Sequence, residues 1–148
     1  MSKTLILLVL STALASCDFV PFSGGKLSGE IMPIPDGWPE VTNAEVIEIE
    51  TNPSEPYSVK LWVVVADDKP YIYAGANRAK WVEHLEQSSD LILGHNGALY
   101  ELSAIRVTDN GEFNTLREIY KEKYGNYPRN SNLNEIYLYR LESRGKNY

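Results

Sequence analysis

Two cations, Arg78 and Lys80, stand where a strand-like run gives way to a helix-like one, in Tyr71-Ile-Tyr-Ala-Gly-Ala-Asn-Arg-Ala-Lys-Trp-Val-Glu-His-Leu-Glu86. A helix start presents unpaired backbone N–H groups, and two cations beside it suit a phosphate. The same cations oppose the helix dipole, so something must offset them. A bound phosphate would do so, and so would Glu83 or Glu86. His84 and His95 carry metal-ligand atoms, with Glu83 and Glu86 close in sequence, but their spacing matches no metal motif. The chain has no GxSxG, HExxH, P-loop or GxGxxG pattern. Protein-borne nucleophilic catalysis therefore has no support, and redox chemistry would have to come from a cofactor that the protein positions.

The elements that position these residues follow from hydrophobic period. Glu45–Glu50 alternates in part and reads as a strand, and Asn52–Pro56 as a turn. The β-branched run within Tyr57–Ala66 predicts a strand buried on both faces. Asp67–Lys69 is a hairpin loop, and Pro70 opens the next strand, where its missing N–H does least harm. Arg78–Gln87 predicts a helix with Trp81, Val82 and Leu85 on one face and Asn77 as its cap. Asp90–Gly94 and Ala98–Val107 are strands joined by a turn at His95-Asn-Gly97. Asp109-Asn-Gly-Glu112 resembles a capping box, opening a second helix that Gly125 stops after Tyr124. Phe113, Leu116, Tyr120 and Tyr124 form its apolar stripe, and Leu133–Leu141 predicts a last strand. Six strands and two short helices predict a mainly β (α+β) chain, an antiparallel barrel or sheet rather than a doubly wound fold.

The first residues read as a targeting segment. Lys3 gives a positive start, and Leu5–Leu10 is an apolar run too short for a bilayer, which needs about 20 residues. Leu14-Ala-Ser-Cys17 resembles the bacterial lipobox, in which the cysteine thiol takes the lipid. The expectation is a signal peptide at residues 1–16, a lipidated tether and Pro-rich extended segment at 17–43, one domain at 44–142 and a tail at 143–148. Cys17 is the only cysteine, so once lipidated it leaves no thiol for a disulfide. Asp18 behind it resembles the enterobacterial signal for retention at the inner membrane. The expected location is the cell envelope, on the periplasmic side of that membrane in a Gram-negative cell. Without Lys3, thirteen Lys and Arg face twenty Asp and Glu, which opposes nucleic-acid binding and leaves membrane attachment to the lipid.

The order of short patterns is similar to that of the flavin-binding split barrels, the pyridoxamine-phosphate oxidase relatives and deazaflavin-dependent nitroreductases. These patterns are Lys60-Leu-Trp-Val-Val-Val65, Tyr71-Ile-Tyr73 with its glycine turn, Arg78-Ala-Lys-Trp81, Tyr100–Asp109 ahead of a helix ending Lys123-Tyr-Gly125, and Tyr139-Arg-Leu141. The resemblance covers residues 44–142 and implies a six-stranded antiparallel split β-barrel with two short helices. It implies a flavin mononucleotide or deazaflavin whose phosphate lies among Lys60, Arg78 and Lys80, with Tyr73 and the backbone up to Asn77 along the ring or ribityl chain. It also implies pairing as a homodimer. The chain departs from the family where the turn is Ala-Gly-Ala-Asn, without hydroxyl side chains, and where Gln87-Ser-Ser89 replaces the usual Asn-Pro. Two functions follow: a ligand-binding or interaction module of the envelope, or an oxidoreductase exchanging hydride with a small molecule through the flavin. A third reading is an unrelated small β-domain of envelope assembly.

Overall fold

The structure, a computed structural model, describes residues 24–75 and 77–145, so Cys17 and the segment before it lie outside the described residues. Hydrophobic alternation sets the architecture. In β3 (Tyr57–Ala66), Val59, Leu61, Val63 and Val65 turn to one side and join the main core. Val64 turns to the other side and joins a second cluster with Phe113 and Leu116. Only the centre of β3 is buried on both faces, at Val63 and Val64; Trp62 between them and the strand's start is 49% exposed. The double burial expected of the whole strand thus holds in full only for this central pair.

β3 pairs antiparallel with β2 (Val46–Thr51) on one side and β4 (Lys69–Ala74) on the other. β4 pairs with β7 (Tyr137–Ser143), β7 with β6 (Ala98–Arg106), β6 with β5 (Asp90–His95), and β5 returns to β2. These six strands form a closed antiparallel barrel, the fold the residue patterns predict. Both tight hairpins use two residues of positive φ, Asp67-Asp68 at 47° and 55° and Asn96-Gly97 at 49° and 79°. Such turns match the right-handed twist of the flanking strands. Ile47, Ile49, Ile72, Leu93 and Leu141 fill the interior, and burying side chains of this size contributes about 1.5–3 kcal/mol each before the entropy cost.

Among the described residues two helices of eight residues or more pack against the barrel. α2 (Lys80–Gln87) buries Trp81, Val82 and Leu85 as its period predicts. Its N-cap is Ala79 with no side-chain hydrogen bond, so Asn77 does not cap it. Ala79 is still extended, at φ −80° and ψ 154°, and the helix begins as Trp81 reaches the core beside Tyr139. α3 (Asn110–Tyr124) lies on the outer face of β3 and β4 and ends on Gly125 at φ 81°. The Asp109 carboxylate accepts from the Glu112 N–H at 2.7 Å, but the Glu112 carboxylate does not reach back. It takes the Tyr71 hydroxyl at 2.9 Å and the Arg140 guanidinium at 2.6 Å, a charge-assisted pair stronger than the bond the capping box offers. The last strand begins at Tyr137 rather than Leu133; Leu133–Glu135 form a 3-10 turn capped by Asn132.

The segment ahead of the barrel is part of the packing. Gly24 bridges to Ser58, the Leu27 N–H donates to Glu50 at 2.6 Å, and β1 (Glu30–Ile31) runs parallel to Ala98–Leu99 of β6. It takes the edge of β6 that β7 leaves free beyond Leu102. A five-residue helix, α1 (Pro39–Asn43), follows, with Trp38 buried edge-on against Tyr100.

Candidate functional site

Two strands that part make the site. β3 and β4 pair from Val63–Ile72 to Ala66–Lys69; past Ile72 β4 loses β3 and keeps only β7 on its other edge, through Tyr73–Leu138 and Ala74–Tyr137. The opening is walled by α3 and by the loop from Pro128 to Glu135. It holds a cavity of about 1020 Å³, at the upper end of the roughly 300–1,000 Å³ usual for small-ligand sites.

The residues expected to bind a ligand divide in two. Lys60, Tyr73 and Asn77 line this cavity. Arg78 and Lys80 are not among its lining residues. Arg78 pairs with Glu86, the offset that the helix start demands, and Lys80 lies over the Tyr57 ring at 5.4 Å. The cavity instead takes its other cations from Arg117 on α3 and Arg129 in the following loop. Its one acidic residue, Glu135, is held by Asn130 at 3.1 Å and Asn132 at 2.8 Å. In a chain of formal net charge −6, three cations against one engaged carboxylate make a locally positive field.

Arg117 stands over Phe113 and Tyr127, its guanidinium carbon 5.7 and 5.1 Å from their ring centres. Its Nε is buried and has no hydrogen-bond partner among the described residues. A buried unsatisfied donor costs about 1–3 kcal/mol, more on a charged group, so an acceptor arriving in the cavity would gain that much. Tyr71, Tyr73 and Tyr120 supply an aromatic wall. Burial pushes the Tyr71 phenol up to about 12, with the neighbouring Glu112 adding to it. Tyr73 and Tyr120 are raised first by burial, opposed by the Asn130 backbone and by Arg129 respectively. These phenols are neutral donors at ordinary pH, and the positive side chains meet no phenolate.

Tyr124 fixes α3 in place. The ladder between β2 and β3 ends at Val46–Trp62, and on the next rung the Tyr124 hydroxyl enters between the strands. It receives the Val63 N–H at 3.1 Å and sits 2.8 and 2.7 Å from the Val63 and Glu45 carbonyls. Lys123 also donates to the Val63 carbonyl, at 2.7 Å, and its desolvated ammonium is lowered in pKa. The Tyr124 ring stacks on Trp62 at 4.9 Å and 15°.

Sequence reasoning passed over Arg117 and Arg129. Arg117 is four residues after Phe113 and three before Tyr120, so the apolar stripe already placed it at the edge of the buried face. Arg129 sits in an irregular loop whose path no period encodes. Among the described residues no cluster of His, Cys, Asp and Glu could hold a metal ion, and no helix is long and apolar enough to cross a membrane.

No protein-family model matches the chain. No curated protein matches it either. Solved structures do. The chain is similar to a candidate 5-nitroimidazole antibiotic resistance protein from Bacteroides thetaiotaomicron, with a TM-score of 0.57, 12% identity, and 76% of this chain and 83% of that one covered. It is similar to a candidate pyridoxamine 5′-phosphate oxidase from Listeria innocua, with a TM-score of 0.55, 9% identity and coverage of 71% and 88%. A FAD-binding protein from Mesorhizobium loti gives a TM-score of 0.52, 13% identity and coverage of 71% and 85%. At these identities the likeness is one of fold.

Proposed function

We propose that the cavity between β3, β4 and α3 binds a planar aromatic ligand with an anionic end, of the flavin mononucleotide or deazaflavin class. The observation that carries this is the cavity's make-up. A tyrosine-rich wall and three cations, one with an orphaned buried donor, line a space of ligand size in an acidic protein. Lys60, Arg117 and Arg129 would hold the anionic end, and Tyr73 and Tyr120 would stack on the ring. The names of two fold neighbours, a candidate pyridoxamine 5′-phosphate oxidase and a FAD-binding protein, support the same class and membership of the split-barrel superfamily. A flavin supplies hydride transfer when bound; the residues named here bind and orient it. The chain is then a binding module first, and an oxidoreductase where a small substrate shares the cavity. The Leu14-Ala-Ser-Cys17 sequence supports lipid attachment at Cys17 and an envelope location.

Titration of the protein with flavin mononucleotide and with riboflavin, which lacks the phosphate, tests the reading. Binding of the phosphorylated form at least tenfold tighter than riboflavin, narrowing as salt is added, is expected. Equal affinities, or no binding of either at high micromolar concentration, would contradict it.

A further inference from the structure

The cavity holds a carboxylate that its cations leave alone. Among the described residues Lys60, Arg117 and Arg129 make no ion pair, and neither does Glu135, although all four line the same space. The fold keeps the opposite charges on different walls. Lys60 stands on β3 and Arg117 on α3. Glu135 lies two residues ahead of Tyr137, whose partner is Ala74, so it belongs to the β4–β7 side of the opening, with Tyr73 and Asn77.

The local structure frees this carboxylate for the cavity. Asn132 caps the 3-10 turn, and Glu135 is the third residue after it, where a capping box would turn the carboxylate back to the Asn132 N–H. That N–H is already taken by the Asn130 Oδ1, at 2.8 Å. The Glu135 oxygens instead accept one bond each, from the Asn130 Nδ2 at 3.1 Å and the Asn132 Nδ2 at 2.8 Å. The Asn132 amide is itself fixed, its Oδ1 accepting from the Asn134 N–H at 3.1 Å. A carboxylate offers about four acceptor sites, and two of these are filled. The other two belong to a group whose orientation is set before any ligand arrives, which spares the ligand the cost of ordering it.

We propose that Glu135 accepts a ring N–H of the ligand and so selects a ring with an imide or amide edge. This rests on the flavin-class reading of the cavity. The carboxylate repels the anionic end of the ligand, which therefore goes to Lys60, Arg117 and Arg129, and the ring edge turns to Glu135. An isoalloxazine or deazaflavin ring presents there an N3–H between two carbonyls. The Asn77 amide and the Ser131 hydroxyl, which also line the cavity, are the donors available to those carbonyls. A ring without the N–H leaves the carboxylate facing carbonyl oxygens or a methyl group, and is rejected.

The test is titration of the full chain in detergent micelles with flavin mononucleotide and with its N3-methyl derivative, followed by visible absorbance. Flavin mononucleotide should bind about tenfold tighter or more, the factor that a hydrogen bond to a charged group supplies. Glu135→Ala should weaken flavin mononucleotide by that factor and leave the methyl derivative unchanged, so that the two affinities meet. Arg117→Ala should weaken both ligands by one factor and preserve their ratio. Equal affinities in the unsubstituted chain would overturn the proposal while leaving the flavin reading intact. Equal weakening of both ligands by Glu135→Ala would also overturn it, since the residue would then act only through the loop. No binding of flavin mononucleotide at high micromolar concentration would overturn the reading on which it rests.

Discussion

The Tyr124 hydroxyl substitutes for a ladder rung, and its removal isolates that contribution. Tyr124→Phe keeps the ring on Trp62 and leaves the Val63 N–H without its acceptor. A buried unpaired donor costs about 1–3 kcal/mol, so urea unfolding should show a loss of that size with an unchanged slope. A neutral substitution would show that water replaces the hydroxyl. Tyr71 gives a pH prediction. Its ordinary pKa of 10.0 is raised to about 12 in the folded chain, first by burial and then by Glu112. A raised folded pKa means that the contribution is intact below about pH 10 and is lost as pH rises toward about 12. Stability should therefore fall over that window, less steeply in Tyr71→Phe, with phenolate absorbance rising as the chain unfolds. At this scale the sequence was legible where residue type sufficed: Lys60, Tyr73 and Asn77 do share one cavity. It was not legible for Arg78, because whether that cation meets a ligand or Glu86 is decided by side-chain reach, which spacing does not encode.

Among the elements, α3 is the wall of the cavity and is held at both ends. Its start rests on Asp109 and on the Tyr71–Glu112–Arg140 network, and its end on Gly125, Lys123 and Tyr124. Asp109→Ala should cost about 1 kcal/mol through the lost cap, and Gly125→Ala about 1–2 kcal/mol because alanine disfavours φ 81°. Calorimetry would check both values; no change in Gly125→Ala would mean that the helix end shifts rather than strains. The extent of α3 was readable because cap, stripe and stop all agree. The start of α2 was misread through Asn77, since a good capping residue is only an option until packing fixes where the helix begins. Residues 28–39 were opaque for the same reason: prolines show an extended path, and nothing local tells that Trp38 ends it inside the core.

For the molecule as a whole, the barrel was legible from alternation and turns, because each strand must bury one face and the two hairpins carry the residues that positive φ favours. The opening between β3 and β4 was not, since it arises where β4 loses β3 on one edge while keeping β7 on the other, which no local pattern announces. Attachment is separable from binding. Cys17→Ala should move the chain from the membrane fraction to the soluble fraction or leave it unprocessed, and continued membrane fractionation would argue against a lipid at that residue. The ligand proposal is tested most directly by visible absorbance of the full chain titrated with flavin mononucleotide in three forms: unsubstituted, Arg117→Ala/Arg129→Ala, and Arg78→Ala/Lys80→Ala. The geometry predicts binding in the first, weakened at least tenfold in the second and unchanged in the third. Loss of binding in the third with retention in the second, or no binding in any form, would contradict it.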